Sequence, residues 1–161
     1  MLLKVVILKK KLIYFIITIL LMPIFLIGCT YSINRKKPNN FYYTNLLAKN
    51  LTISPSCSGT AIDTNFYKKQ NLTTEDLDTI KKLTKALSKK NFINTPKDLP
   101  KKPLYKIILK FNDEKYVINI YDEKYLSIYP WDGSYEMDYL DITNIEKGYN
   151  IYYLCKYLIP E

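Results

Sequence analysis

This chain of 161 residues contains no histidine. The commonest general base and metal ligand near neutral pH is therefore missing, and neither a Cys–His nor a Ser–His pair can form. Three cysteines remain, Cys29, Cys57 and Cys155. They make no C-x-x-C motif, and the four glycines build neither a P-loop nor a dinucleotide-binding fingerprint. The carboxylates are the last candidates for acid–base work. Asp113 with Glu114, and Asp122 with Glu123, fall between runs of alternating apolar residues, where short polar side chains serve hairpin turns. Asp132, Glu136, Asp138 and Asp141 form a looser acidic cluster that lacks the spacing of an EF-hand loop. Composition thus points away from an enzyme, and neither a cofactor nor a metal is expected.

Tyrosine is the residue type that stands above background. Eleven of the sixteen tyrosines lie from Tyr105 onward. Tyr121, Tyr125 and Tyr129 are spaced to share one face of a sheet. Beside Trp131 they could form an aromatic platform for sugar rings, a peptide or a protein partner. The same residues also suit half-buried strands, where tyrosine pairs well across neighbours. Cys57 and Cys155 could form a disulfide in an oxidising compartment. Cys155 equally suits an apolar helical stripe, as a small buried hydrophobe.

The elements that must position these residues follow from periodicity. Ala61 to Leu72 reads as a weak strand, and Ile53, near Pro55, could open another before it. Thr74, followed by Glu75 and Asp76, opens a helix over about 74 to 89, with Leu77, Ile80, Leu83 and Leu87 at helical spacing. Tyr105, Ile107, Leu109 and Phe111 then alternate, as do Tyr116, Ile118 and Ile120, and Leu126 and Ile128. Short polar turns between such runs specify an antiparallel meander with one aliphatic face. Trp131-Asp132-Gly133-Ser134 makes a further turn before a fourth strand from Tyr135 to Leu140. Ile151, Leu154, Cys155 and Leu158 recur at i, i+3, i+4 and i+7, which predicts a closing amphipathic helix over 149 to 158. The expected architecture is α+β: an antiparallel sheet of three to five strands, the 74–89 helix on its aliphatic face, and the short terminal helix alongside.

The front of the chain is of a different kind. Lys4 and Lys9 to Lys11 precede an uncharged run from Leu12 to Ile27, closed by Gly28 and Cys29. That is the order of a signal peptide: basic n-region, apolar h-region, small residues at a cleavage site. The run is slightly short for a membrane span, and Pro23 within it favours cleavage over an uncleaved anchor. Residues 29–45, centred on Asn34 to Asn40, read as a polar tether, and 46–161 as one domain. The net charge of +9 belongs mostly to the front, where residues 1–62 hold eight cations and no acid. From Asp63 onward sixteen lysines meet fifteen acids, a poor balance for nucleic-acid binding. Arg35-Lys36-Lys37 could add an electrostatic contact with an anionic leaflet, or serve only as a solvated part of the tether.

Leu26-Ile27-Gly28-Cys29 resembles the lipobox of Sec-exported bacterial lipoproteins. The resemblance implies that the mature protein begins at Cys29, whose thiol carries a diacylglyceryl group. It also implies that the protein sits, lipid-anchored, on the extracytoplasmic face of the cell membrane. Residues 103–121 and 127–133 resemble small surface lipoproteins of low-GC Gram-positive bacteria whose domain has no assigned function. The reading that results is a membrane-anchored, non-catalytic binding module with a protein or cell-wall partner at Tyr121, Tyr125, Tyr129 and Trp131. The alternative is an accessory lipoprotein without a dedicated ligand site.

Overall fold

A computed structural model describes residues 10–11, 14–19, 22, 37–54, 56–132 and 136–160. The chain divides into two compact units, Met1–Lys36 and Lys37–Glu161. In the first, residues 10–11, 14–19 and 22 are helical. Among the described residues no helix is long and apolar enough to cross a membrane. Cys29, Arg35, Lys36 and most of the expected signal peptide lie outside the described residues, as do Pro55, Gly133, Ser134 and Tyr135.

The second unit is α+β. Seven strands, β1 (Ser58–Asp63), β2 (Lys69–Asn71), β3 (Phe92–Ile93), β4 (Tyr105–Lys110), β5 (Lys115–Ile120), β6 (Tyr125–Pro130) and β7 (Asp138–Asp141), form one sheet in the order β2-β1-β4-β5-β6-β7-β3. Every neighbouring pair is antiparallel. The expected meander is the middle of this sheet, β4 to β7. The three-to-five-strand expectation fell short at the flanks. There the run 61–72 is a hairpin rather than one strand, and β3 is two residues long, too short to show a period.

Three helices accompany the sheet: α1 (Tyr42–Ile53), α2 (Thr74–Ala86) and α3 (Ile151–Leu158). The α2 helix is capped by Thr73 in a capping box, one residue before the Thr74 that the sequence offered as N-cap. Thr73 accepts the backbone N–H of Asp76, and the Asp76 carboxylate accepts that of Thr73 at 2.8 Å, so two orphan donors of the first turn are satisfied. Asn150 caps α3 through the Tyr152 N–H at 3.0 Å. Ile53, expected to open a strand, instead ends α1.

The α1 helix corrects two expectations. Residues 37–45 are not tether, because the compact unit begins at Lys37 and α1 buries Tyr43, Thr44 and Leu47. The foreseen helix, α2, also does not cover the sheet alone: α1 packs on β6, β7 and α2, and α2 in turn packs on α3. Together they bury one sheet face, including Ile107, Leu109, Tyr116, Ile118, Leu126, Ile128 and Leu140, against Leu47, Ile80, Leu83, Ile151 and Cys155. Tyr43, Leu46, Leu47 and Leu51 fall at i, i+3, i+4 and i+8, a helical spacing that begins inside the stretch read as tether.

Candidate binding surface

The β5–β6 register sets Asn119 opposite Ser127 and Val117 opposite Tyr129, and the hairpin closes with the Tyr121 N–H on the Tyr125 carbonyl at 3.0 Å. Tyr121, Tyr125 and Tyr129 therefore share the face away from the helices, as their spacing predicted. They are not equally accessible. Tyr121 is 7% and Tyr125 8% exposed, and Tyr129 is half-buried. Trp131 is 54% exposed. Its backbone N–H adds one rung to the ladder, on the Lys115 carbonyl at 2.8 Å. The Lys115 ammonium lies 4.8 Å from the centre of its ring, a cation–π contact that steadies an otherwise solvated indole.

Burial of the two inner tyrosines has a local cause. The Tyr125 hydroxyl reaches the Asp98 carboxylate at 3.4 Å, and the Tyr121 hydroxyl lies 3.4 Å from Ser127 Oγ. Ser127 also meets Met137 Sδ at 3.3 Å and accepts from Asn119 Nδ2 at 3.1 Å. Asn119 Oδ1 is buried with no hydrogen-bond partner among the described residues. Asn119, Met137 and Tyr139 belong to this face and were not singled out from the sequence. The alternation of β7 could have placed Tyr139, which pairs with Ser127. Beside them a cavity of about 540 Å³ is lined by residues that include Lys37, Asn40, Asn94, Thr95, Met137 and Tyr139.

Burial raises the phenols of Tyr129 and Tyr139 above the ordinary tyrosine value. These groups stay protonated and act as hydrogen-bond partners rather than as bases. Three of the candidate carboxylates, Asp122, Glu114 and Asp138, hold local structure. Asp122 accepts the N–H groups of Lys124 and Tyr125 at 2.8 and 2.7 Å. Glu114 accepts from Asn50 Nδ2 at 2.6 Å and from the Tyr116 hydroxyl, and Asp138 pairs with Lys37 at 3.0 Å. Among the described residues no three His, Cys, Asp or Glu side chains come together as a metal site.

Cys57 and Cys155 are both free thiols. Cys57 precedes β1 at the end where Ser58 pairs with Lys110. The α3 helix meets β4 at its other end, with Tyr152 against Tyr105 at 6.3 Å between ring centres. A six-residue strand spans roughly 17 Å at about 3.3 Å per residue, well beyond the ~7 Å that a disulfide bridges.

Residues 37–155 match the model of a family described as "Domain of unknown function (DUF4883)". The chain is also similar to a solved structure described as "Crystal Structure of Putative Lipoprotein from Clostridium perfringens". The two share 35% identity and a TM-score of 0.69, over 78% of this chain and 100% of that one. That organism is a low-GC Gram-positive bacterium, the group whose surface lipoproteins the sequence resembles. No curated protein matches.

Proposed function

The chain belongs to this family of unknown function, and we propose that it is a lipoprotein held on the extracytoplasmic face of the cell membrane by a diacylglyceryl group on Cys29, its domain serving as a non-catalytic binding module. The observation that carries the reading is the lipobox-like run Leu26-Ile27-Gly28-Cys29 behind a basic, apolar leader, in a chain 35% identical to a protein described as a "Putative Lipoprotein". Two acyl chains bury enough CH₂ groups, at about 0.8 kcal/mol each, for stable anchoring. The partner, a protein or the cell wall, contacts the half-exposed end of the tyrosine face at Tyr129 and Trp131. Tyr121 and Tyr125 shape that end from beneath rather than touching the partner.

Metabolic labelling with palmitate tests the anchor. The parent chain takes the label and Cys29→Ala does not; label retained by the variant refutes the anchor. Pull-down on purified sacculi and on detergent-extracted membrane proteins tests the surface. Capture is lost in Trp131→Ala, and capture retained by both Trp131→Ala and Tyr129→Ala refutes it. A second reading, an accessory lipoprotein without a ligand site, is favoured by the burial of Tyr121 and Tyr125 and replaces the first if neither fraction is captured.

A further inference from the structure

The turn joining β1 to β2 presents two aromatic rings to solvent on a braced backbone. The Asp63 N–H closes it on the Lys68 carbonyl at 2.9 Å. The Asp63 carboxylate accepts the N–H groups of Asn65 and Phe66 at 2.6 and 3.1 Å. Tyr67 adopts φ 57°, a left-handed conformation uncommon outside glycine, asparagine and aspartate. Thr64 ties the turn to the 94–104 connector through its N–H on the Leu104 carbonyl at 3.0 Å. So held, Phe66 and Tyr67 are 72% and 74% exposed.

Lysines flank the rings. The Lys68 ammonium lies 5.9 Å from the Phe66 ring centre and donates to the Pro160 carbonyl at 3.1 Å. The Lys102 ammonium lies 5.9 Å from the Tyr67 ring centre and donates to the Thr64 carbonyl. Lys69 and Lys106 both pair in register with Ile62 just below. Asp63, the acid of this turn, is turned onto backbone N–H groups. The tip is therefore apolar at its point and cationic around it, and its geometry is fixed before any contact is made.

We propose that the Phe66–Tyr67 turn is a membrane-contact tip, which seats its two rings in the interfacial layer of an anionic bilayer while Lys68, Lys69, Lys102 and Lys106 lie against the headgroups. A bilayer fits better than a protein partner. Lysine is depleted at protein interfaces, whereas amphipathic rings with flanking cations are what a headgroup layer accommodates. Each cation near an anionic leaflet raises partitioning about five-fold. Under the lipid-anchored reading the eight residues from Cys29 to Lys37 span at most about 28 Å, so the domain works close to a bilayer and a weak contact suffices. The contact itself does not depend on that anchor.

The test uses residues 37–161, which form a compact unit; the solved relative, whose whole chain aligns with 78% of this one, is a chain of that extent. Because this piece lacks Cys29, its result is independent of lipidation. It is sedimented with vesicles of equal parts phosphatidylglycerol and phosphatidylcholine, and with phosphatidylcholine alone. Binding is expected to the mixed vesicles only, and to weaken as salt rises. Phe66→Ser combined with Tyr67→Asn, which keeps a residue tolerant of positive φ, lowers partitioning roughly ten-fold with an unchanged thermal midpoint. Lys69→Gln with Lys106→Gln lowers it and flattens the salt dependence. No binding by the parent, equal binding to both vesicles, or a ring variant that binds like the parent overturns the proposal.

Discussion

Asp138 caps a helix whose Thr44 lies 94 residues away along the chain: its Oδ2 accepts the Thr44 N–H at 2.7 Å and the Thr44 hydroxyl at 2.9 Å. The N-cap residue of α1, Phe41, has no side chain able to do this, so one of the four orphan N–H groups of the first turn is satisfied from β7. The other oxygen, Oδ1, accepts from Lys37 Nζ at 3.0 Å. One fully buried carboxylate thereby joins the start of the domain, its first helix and a strand near the far edge of the sheet.

Replacing that carboxylate breaks all three links at once. Asp138→Ala leaves the Thr44 donors unpaired and the Lys37 ammonium, whose side chain is only 10% exposed, without its counter-ion. Removing one partner of a buried pair costs about 3–5 kcal/mol, and the lower end is expected because Lys37 can swing into solvent. Urea unfolding followed by Trp131 fluorescence measures it. A loss under about 1 kcal/mol would mean that the capping carboxylate is dispensable.

Where the domain starts is testable by truncation. A chain beginning at Leu46, the boundary its polar composition implies, lacks Lys37, Tyr43 and Thr44 and leaves Asp138 buried and uncompensated. A chain beginning at Lys37 keeps them. The longer piece is expected to unfold in one cooperative transition, and the shorter to show none or a midpoint lowered by more than about 10 °C, the size of a ~3 kcal/mol loss in a domain of this length. Equal midpoints would return residues 37–45 to the tether.

This boundary also shows what can be read from sequence here and what cannot. The strands β4, β5 and β6 were legible because each repeats the period of two over six residues, and α2 because its first-turn acids and its Leu77–Ile80–Leu83 stripe are local. The α1 helix was passed over because its cap is supplied from Asp138 and the Asn-rich run before it reads as tether, although Tyr43, Leu47 and Leu51 keep helical spacing on its core side. The candidate surface was half legible. Spacing placed Tyr121, Tyr125 and Tyr129 on one face, but the contacts that bury two of them come from Asp98 and Met137, in loops whose course no periodicity encodes.

The two free thiols should differ sharply in reactivity. Burial pushes Cys155 up from 9.0 to about 12, and partial burial raises Cys57 too. Since the thiolate is the nucleophile, iodoacetamide at pH 8 is expected to modify Cys57 first, and Cys155 only as fast as the domain opens. Between pH 9 and 12 the unfolded chain releases the Cys155 proton while the folded chain keeps it, so this group lowers stability as pH rises through that window and is neutral below it. The stability gap between the parent and Cys155→Ala, measured by urea unfolding, therefore narrows above pH 9. A gap constant with pH would refute the buried, protonated thiol.

Gly59 offers the sharpest packing test. It sits on the core face of β1, where a Cβ would come within 2.6 Å of Leu72 Cδ1 and 3.0 Å of Leu109 Cδ2. Alanine in a strand would otherwise gain roughly 0.5–1 kcal/mol in backbone entropy, so the sign depends on whether Leu72 can move. Leu72 follows β2, and its N–H is held by the Gly59 carbonyl at 2.9 Å; its backbone is fixed and only the side chain can yield. Gly59→Ala is therefore expected to destabilise by about 1–2 kcal/mol, as overpacking does. Leu72→Ala removes the colliding atoms at its own cost of about 2–3 kcal/mol. In the double variant the penalty for the added methyl disappears, leaving a coupling of about 1 kcal/mol or more. Strict additivity in urea unfolding of the four chains would place the strain of that methyl elsewhere than against Leu72.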